Sequence, residues 1–365
     1  MKIMKAIKFK TLLLLVVFGT VITTSVQAQK DKVEKKYHEE YSVTPNSQLY
    51  LENKYGDIDV RNWDKNQVTI DVVITVYHRD RERAEKLLSF LDVEFHQEGD
   101  KIKAVTIIDS KFNKSNWSLL NNESKEFSID YTVNMPTDMD IELKNKYGDA
   151  FLNELSGHVN IYVKYGSLKV NKLSRGNTKP YNKIYVGYGK AEVTEVNWLK
   201  LDLSYSRIEF EASKALMVMS KYSKLYLNDG RSIVAESKYD TYNVGEVNNL
   251  VFTAAYGSLK SEQVNKTLQL NMKYTGCSVN YIPSGFEKIS IENKYGGIKL
   301  GIDTNASYKI DGNAEYAKIH IPSESRLSRI EENTKLSLNG LVGTDPNTSS
   351  VVKIYTKYGS VHLDE

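Results

Sequence analysis

The sequence predicts an all-β protein whose main part is a parallel β-solenoid of roughly twelve coils. Three observations support this fold class. A Tyr-Gly motif recurs along the chain, apolar residues alternate at period two around each copy, and most successive copies are only 17 to 21 residues apart. Alternation at period two is typical of β-strands. A short repeat of this kind is typical of solenoid coils, because a propeller blade needs about 40 residues.

The first residues have the layout of a secretory signal peptide. An apolar run over residues 12–22 follows four basic side chains, and Val26-Gln27-Ala28 then supplies small residues at the spacing that a signal peptidase requires. The four basic residues are Lys2, Lys5, Lys8 and Lys10. The run is shorter than the roughly 20 residues that span a bilayer. We therefore expect residues 1–28 to be removed, leaving an exported chain with no transmembrane segment.

The charge balance gives no reason to expect a nucleic-acid partner. The whole chain has 49 basic and 46 acidic residues, and the signal peptide contains four of the lysines and no acid. The mature chain therefore has 45 basic residues against 46 acidic ones, a net charge of −1. A protein that binds nucleic acid through its general charge is instead strongly basic.

A cap of strands and one helix is predicted for residues 29–140, ahead of the repeats in residues 141–365. Residues 68–77 alternate as a strand does, and residues 102–108 and 127–133 form two more strand-like runs. Four apolar residues between the first two runs have helical spacing, namely Ala84, Leu87, Leu88 and Leu91. A solenoid needs such a cap because its terminal coil is otherwise exposed.

The repeat itself defines twelve corners. Strong copies centre on Tyr55, Tyr147, Tyr165, Tyr295 and Tyr358, and weaker ones on Tyr188, Tyr205, Tyr222, Tyr239, Tyr256, Tyr274 and Tyr316. Apolar residues lie four before each Tyr and three and five after it, as Leu201, Ile208 and Phe210 do around Tyr205. A degenerate further copy is expected near Leu336 and Leu338. An antiparallel meander with a hairpin at each Tyr-Gly is the competing fold.

The change of parity across each Tyr-Gly step predicts a bend there. Glycine tolerates positive φ, so a corner at the Gly would keep both halves facing one core. On this interpretation the Tyr rings stack inside the solenoid, and replacing Tyr222 by Ala costs about as much as other large-to-small core changes, roughly 3–5 kcal/mol. The single Cys277 occupies a position that is apolar in other copies, which predicts a small buried hydrophobic residue.

Eight lysines share one position, directly before the corner Tyr. They are Lys54, Lys146, Lys164, Lys221, Lys238, Lys273, Lys294 and Lys357. Stacked coils would align them as a lysine stripe on the outer surface. The stripe either binds an anionic glycan, lipid headgroups or another cell-envelope polymer, or it only keeps a β-surface soluble and blocks edge pairing.

No catalytic, metal or cofactor motif is present, so we expect no cofactor. The six histidines lack metal-ligand spacing, and the chain has no G-x-S-x-G motif, P-loop or EF-hand loop. The alternative is a glycan-active parallel β-helix enzyme similar to polysaccharide lyases. Such an enzyme needs clustered carboxylates, whereas Asp57, Asp149 and Asp240 stand in only a few coils.

Residues 49–60, L-Y-L-E-N-K-Y-G-D-I-D-V, are followed by Asn62-Trp63-Asp64 and a strand-helix-strand unit. This pattern resembles the bacterial putative-adhesin family of exported β-solenoid domains, also catalogued as a domain of unknown function. The resemblance runs from about Tyr41 to the end of the sequence. It implies a right-handed β-solenoid in the periplasm or on the cell surface, with no catalytic residues. The function that it implies is that of a non-catalytic binding or structural module.

Overall fold

The structure is a computed structural model that describes residues 31–115, 127–322 and 325–363, and the predicted signal peptide lies outside these residues. The described residues form one continuous sheet of 24 strands. Successive coils pair in parallel, as in the registers Val163↔Asn145 and Leu203↔Ser220. The predicted β-solenoid is therefore confirmed. The antiparallel meander is excluded because a hairpin at each corner would make these pairs antiparallel.

The N-terminal part builds one end of the stack. Its elements are β1 (Asp31–Ser42), β2 (Gln48–Lys54), β3 (Ile58–Trp63), β4 (Gln67–His78), α1 (Arg81–Leu88), β5 (Leu91–Glu98), β6 (Lys101–Ile108), α2 (Ser110–Ser115) and β7 (Phe127–Pro136). Strands β6 and β7 pair in parallel with β2 and β3 and so cover the two halves of the Tyr55 coil. The antiparallel pairs β1–β4, β4–β7 and β5–β6 then extend the sheet outward.

The predicted amphipathic helix is α1, which packs against β1 and β4. It begins where the Asp80 side chain accepts a hydrogen bond from the backbone N–H of Arg83 at 3.2 Å, a typical N-cap. Ala84 and Leu87 are buried, whereas Leu91 lies beyond the helix and begins β5. The cap also contains a second, shorter helix, α2, of six residues.

Twelve corners separate the strands of the solenoid. From the second corner onward these strands are β8 (Asp140–Lys146), β9 (Ala150–Leu155), β10 (Val159–Lys164), β11 (Ser167–Leu173), β12 (Asn182–Gly187), β13 (Lys190–Ser204), β14 (Arg207–Lys221), β15 (Lys224–Lys238), β16 (Thr241–Ile282), β17 (Lys288–Lys294), β18 (Ile298–Ile302), β19 (Tyr308–Glu315) and β20 (Ile319–His320). The apolar positions predicted around each corner face the core. Leu201, Ile208 and Phe210, for example, are all at most 2% exposed. Each such side chain stabilises the fold by roughly 1.5–3 kcal/mol on burial.

The last part of the chain does not stack in sequence order. It contains β21 (Ser325–Glu332), β22 (Lys335–Val342), β23 (Val351–Lys357) and β24 (Val361–His362). Strand β23 pairs in parallel with both β17 and β19, so the Tyr358 coil lies between the Tyr295 and Tyr316 coils. Strand β22 is antiparallel to β19 and β21. The degenerate coil expected at Leu336 and Leu338 was therefore wrong, because alternation predicts a strand but not its direction.

Candidate functional site: a tyrosine–lysine ladder

Each corner is formed by the tyrosine and not by the glycine after it. All twelve corner tyrosines have φ between +52° and +68°, in the left-handed region, whereas the following residues do not. The expectation that Gly supplies the positive φ was wrong. The Gly is needed because a neighbouring coil passes very close. A Cβ on Gly148 would lie 1.9 Å from the carbonyl oxygen of Gly56.

The left-handed residue carries its side chain onto the outer surface, so the predicted interior position of the tyrosine rings was wrong. Eleven of the twelve are 41% to 55% exposed, among them Tyr205, Tyr222 and Tyr239. In a regular strand, a residue two positions after a buried one is also buried. The positive φ at the corner breaks this alternation, and Tyr and the Lys before it both reach solvent.

The rings form one continuous external stack. Ring centroids of neighbours lie 4.7 to 5.1 Å apart, with interplanar angles of 7° to 24°. This separation matches the distance between neighbouring strands, so each coil adds one ring. The spatial order is Tyr55, Tyr147, Tyr165, Tyr188, Tyr205, Tyr222, Tyr239, Tyr256, Tyr274, Tyr295, Tyr358 and Tyr316.

Stacking and hydrogen bonding offset the strain of this backbone conformation. A left-handed residue other than Gly costs roughly 1–2 kcal/mol. Each aromatic pair contributes about 0.5–1.5 kcal/mol, and an inner ring of the stack has two neighbours. The backbone N–H of Tyr222 also donates to the Lys238 carbonyl at 3.0 Å, and that of Tyr205 donates to the Lys221 carbonyl at 3.0 Å. The corner tyrosines therefore hold neighbouring coils together as well as turning the chain.

The structure brings the eight predicted lysines to one edge of the ring stack, in three groups. Strand register aligns Lys54, Lys146 and Lys164, then Lys221 and Lys238, then Lys273, Lys294 and Lys357. Gly187 and Ser204 interrupt the stripe after the first group, Ala255 follows the second, and Glu315 pairs with Lys357 at its end. We call the twelve rings and these eight lysines the tyrosine–lysine ladder.

The ammonium groups lie against the rings. The Nζ atoms of Lys54 and Lys164 are each 4.7 Å from the ring centroid of the adjacent Tyr, within the range of cation–π attraction. The same distance is 5.3 to 5.7 Å for Lys357, Lys238 and Lys273. A hydrogen bond to Tyr165 raises the pKa of the Lys164 ammonium group.

Most of the ladder's positive charge is not neutralised. Lys357 forms an ion pair with Glu315 at 2.9 Å, and this hydrogen-bonded contact raises the pKa of Lys357. Within residues 31–115, 127–322 and 325–363, the other seven lysines form no ion pair. A row of cations beside the exposed edges of stacked phenol rings can attract anions by charge, and the phenol hydroxyls can donate and accept hydrogen bonds.

The acidic side chains at the corners accept hydrogen bonds from backbone N–H groups of the neighbouring coil. The Oδ1 atom of Asp57 accepts the N–H of Asp149 at 2.8 Å, and the Oδ1 atom of Asp149 accepts the N–H of Ser167 at 2.7 Å. Asp240 is buried and accepts the N–H of Ser223 in the same way. In the part of the chain that the structure describes, no group of three or more His, Cys, Asp or Glu residues is arranged to hold a metal ion.

Cys277 is buried, as the apolar pattern predicts. Burial disfavours the thiolate and raises the pKa of this thiol to about 12. The described helices include none that is long and apolar enough to cross a membrane.

No protein-family model and no curated protein matches the chain. Three solved structures are similar to it over 90% of its length. They are a putative cell adhesion protein from Clostridium sporogenes (8% identity, 99% of that chain covered, TM-score 0.20), a putative adhesin from Bacteroides fragilis (9%, 97%, 0.30) and a putative lipid binding protein from Parabacteroides distasonis (12%, 97%, 0.33).

Proposed function

We propose that this chain is an exported, non-catalytic binding module of the adhesin type, and that the tyrosine–lysine ladder is its ligand-binding surface. The observation that carries the proposal is the exposure of the stacked rings beside seven lysines that have no acidic partner among the residues that the structure describes. Cation–π attraction to the adjacent ring, worth about 0.5–1 kcal/mol at an exposed site, explains part of the preference for Lys but leaves the ammonium group open to an anion. The repeated placement of a cation at this position favours a role in binding.

The ligand that fits the ladder best is an extended anionic polymer, such as an acidic glycan of the cell envelope. Its contacts would repeat along the solenoid axis, because each coil adds a ring and eight of the twelve corners add an ammonium group. Phenol groups can hydrogen-bond to hydroxyl groups of a sugar, and ammonium groups can pair with carboxylates, phosphates or sulfates. The mature net charge of −1 gives other faces no general attraction for a polyanion, which would restrict binding to the ladder.

Export rests on the signal-like N-terminal sequence. In this proposal residues 1–28 are removed, residues 29–140 form the cap with the Tyr55 coil, and residues 141–365 form the remaining solenoid. The intact mass of the secreted protein tests the first part, and a chain that begins near Gln29 is expected. A chain that keeps residues 1–28 would contradict it.

Two variants test the ladder by removing positive charge from lysine side chains without changing the fold. The binding variant replaces four ladder lysines by Gln, namely Lys164, Lys221, Lys238 and Lys273. The control variant makes the same change at four exposed lysines away from the corners, Lys169, Lys214, Lys260 and Lys309. Both variants change the net charge equally. Heparin and purified lipopolysaccharide serve as probes, titrated at low and at physiological salt.

We expect the ladder variant to lose most of its affinity, and the control variant to keep that of the unchanged protein. Binding should also weaken between low and physiological salt, because exposed charges are screened over about 8–10 Å. Equal loss in both variants, or no polyanion binding at low salt, would contradict the proposal. In either case the lysines would serve only to keep the surface soluble.

A further inference from the structure

A second surface lies on the sheet face formed by the strands that precede the corners. There, five coils enclose a shallow groove with a volume of about 560 Å³. Strand register arranges its outward side chains in two rows. The row nearer the corners is Asn271, Glu292, Tyr355 and Asn313, and the parallel row is Gln269, Ser290, Lys353 and Asp311. None of these residues belongs to the tyrosine–lysine ladder.

The inserted coil places an aromatic ring in the middle of this groove. Because β23 lies between β17 and β19, Tyr355 stands between Glu292 and Asn313. Its side chain is 43% exposed. Among the described residues its ring stacks on no other aromatic ring, in contrast to the corner tyrosines and to the pair Tyr162 and Tyr185. One ring face is therefore available to a ligand.

The polar side chains around that ring have unused hydrogen-bonding capacity. Within the described ranges, the side chains of Gln269, Asn271, Ser290 and Glu292 have no hydrogen-bond partner. Several outward amides on other coils, by contrast, are paired. Asn171 donates to Asn153 at 2.9 Å, and Asn265 donates to Asn248 at 3.0 Å. In the groove, Asn313 donates to Asp311 at 3.4 Å, which leaves two amides, a hydroxyl and a carboxylate without a side-chain partner among the described residues and open to a ligand.

We propose that this groove binds a neutral oligosaccharide. Sugar rings pack their C–H faces on aromatic rings, which suits Tyr355, and sugar hydroxyls both donate and accept hydrogen bonds, as the amides of Gln269 and Asn271 do. Charge also selects the ligand. Glu292 and Asp311 repel a polyanion, and Lys353 between them offsets one of the two negative charges, so little net charge remains to attract a polycation. An apolar ligand would leave the polar groups unpaired.

The test is a calorimetric titration of the protein with short cello-, laminari-, manno- and chito-oligosaccharides. Tyr355→Ala removes the ring, Tyr355→Phe keeps it, and Asn271→Ala removes one amide. Met219→Ala is the matched control, because Met219 is 61% exposed at the same position of a coil outside the groove. Thermal unfolding of each variant checks that the fold is retained.

We expect at least one of these oligosaccharides to bind the unchanged protein, with little dependence on salt. Tyr355→Ala should weaken that binding about tenfold or more, a loss of roughly 1.4 kcal/mol. Asn271→Ala should weaken it less, and Tyr355→Phe and Met219→Ala should leave it within about threefold. The variant with four ladder lysines replaced should bind these neutral sugars unchanged, which separates this site from the ladder.

Three results would overturn the proposal. They are the absence of neutral-sugar binding at millimolar ligand, binding by Tyr355→Ala equal to that of the unchanged protein, and binding of anionic glycans alone. The last result would leave the ladder as the glycan site of this protein. A failure of the ladder proposal would be seen in a different experiment, as equal heparin binding by the ladder variant and the control variant.

Discussion

The corner tyrosines combine a strained backbone with a favourable side-chain environment. Tyr222 has φ of +52°, and its ring stacks on those of Tyr205 and Tyr239 at 4.8 and 4.9 Å. In an isolated turn, Gly or Asn would be expected at such a position. Here the neighbouring rings stabilise Tyr, so the preference for Tyr exists only within the stack.

This balance predicts an unusual order of stability at position 222. Tyr222→Ala loses both stacking contacts and keeps the strain, so we expect a loss of about 1–3 kcal/mol in the free energy of unfolding. Tyr222→Gly also loses the contacts but relieves the strain, and should be less destabilising than Tyr222→Ala. Tyr222→Phe keeps the stack and should lie within about 0.5 kcal/mol of the unchanged protein. Urea unfolding provides the measurement, and an Ala variant more stable than the Gly variant would refute this account.

Cys277 should be chemically inert in the folded protein. Its burial raises the pKa of the thiol to about 12, so at neutral pH the reactive thiolate is scarce as well as inaccessible. We expect no alkylation by iodoacetamide at pH 8 in the native state and full alkylation in denaturant, measured by intact mass. Rapid labelling of the native protein would show that the coil at Tyr274 opens.

The sequence predicts the buried positions well and the tyrosine orientation badly, for one physical reason. Alternation identifies Leu201, Ile208 and Phe210 as core residues because period two is a property of the strand. The shift in parity shows that the chain bends, but either Tyr or Gly could take the positive φ. The recurrent small residue after the Tyr was a usable signal, since it indicates that another backbone approaches closely.

That close approach sets the spacing of the coils at each corner. A Cβ on Gly148 would meet the Gly56 carbonyl oxygen at 1.9 Å and its carbon at 2.5 Å. By contrast, a Cβ on Gly276 would meet no atom within 4 Å. Gly148 directly follows Tyr147 and is crowded, whereas Gly276 stands two residues after Tyr274, in open space.

Substitution by Ala should distinguish them. Gly148→Ala forces two coils apart, and we expect destabilisation of about 1–3 kcal/mol or more. Gly276→Ala is the control at an uncrowded position and should be neutral or stabilising by roughly 0.5 kcal/mol, because it only restricts the unfolded chain. Thermal and urea unfolding measure the stability of both variants. Equal effects of the two substitutions would argue against close packing between the first two corners.

Among the elements, those with long, unambiguous patterns are predicted from sequence. Strands β4, β6 and β7 and helix α1 lie where alternation or helical spacing places them. Strand β5 was missed because its first residue, Leu91, also fits the helical spacing of α1. Strand β22 was assigned to a coil, because its alternation is the same in either strand direction. The groove around Tyr355 could not be predicted at all, since it depends on which coil lies beside which.

At the scale of the whole molecule, each coil contacts mainly its two neighbours, as in other repeat proteins. The ends of the stack are covered by antiparallel strands, with β1 outermost near the cap and β21 outermost at the other end. Both carry many charged side chains, among them Lys35, Glu39, Arg326 and Arg329. Charged edge strands discourage pairing with another chain.

The inserted coil makes stability uneven along the stack. A chain that ends at Ser350 lacks β23 and β24. Strands β17 and β19 then both lose β23, the strand that lies between them and pairs with each. We expect amide hydrogen exchange to become fast in β17 to β22, whereas β2, β3 and β8 to β15 keep their protection. Mass spectrometry of peptide fragments from both chains makes the comparison. Uniform loss of protection along the whole chain would contradict this local dependence.

The position of the Tyr358 coil also constrains how the protein can form. A solenoid that emerges from a ribosome or an export channel can add coils in order, each on the one before it. Here the coils up to Tyr295 can form in this way, but the next place in the stack belongs to residues 351–363. Those residues must emerge and join two ladders of backbone hydrogen bonds before the Tyr316 coil reaches its final neighbour. This end of the solenoid therefore cannot form coil by coil in the order of the sequence, because its stacking depends on residues 351–363.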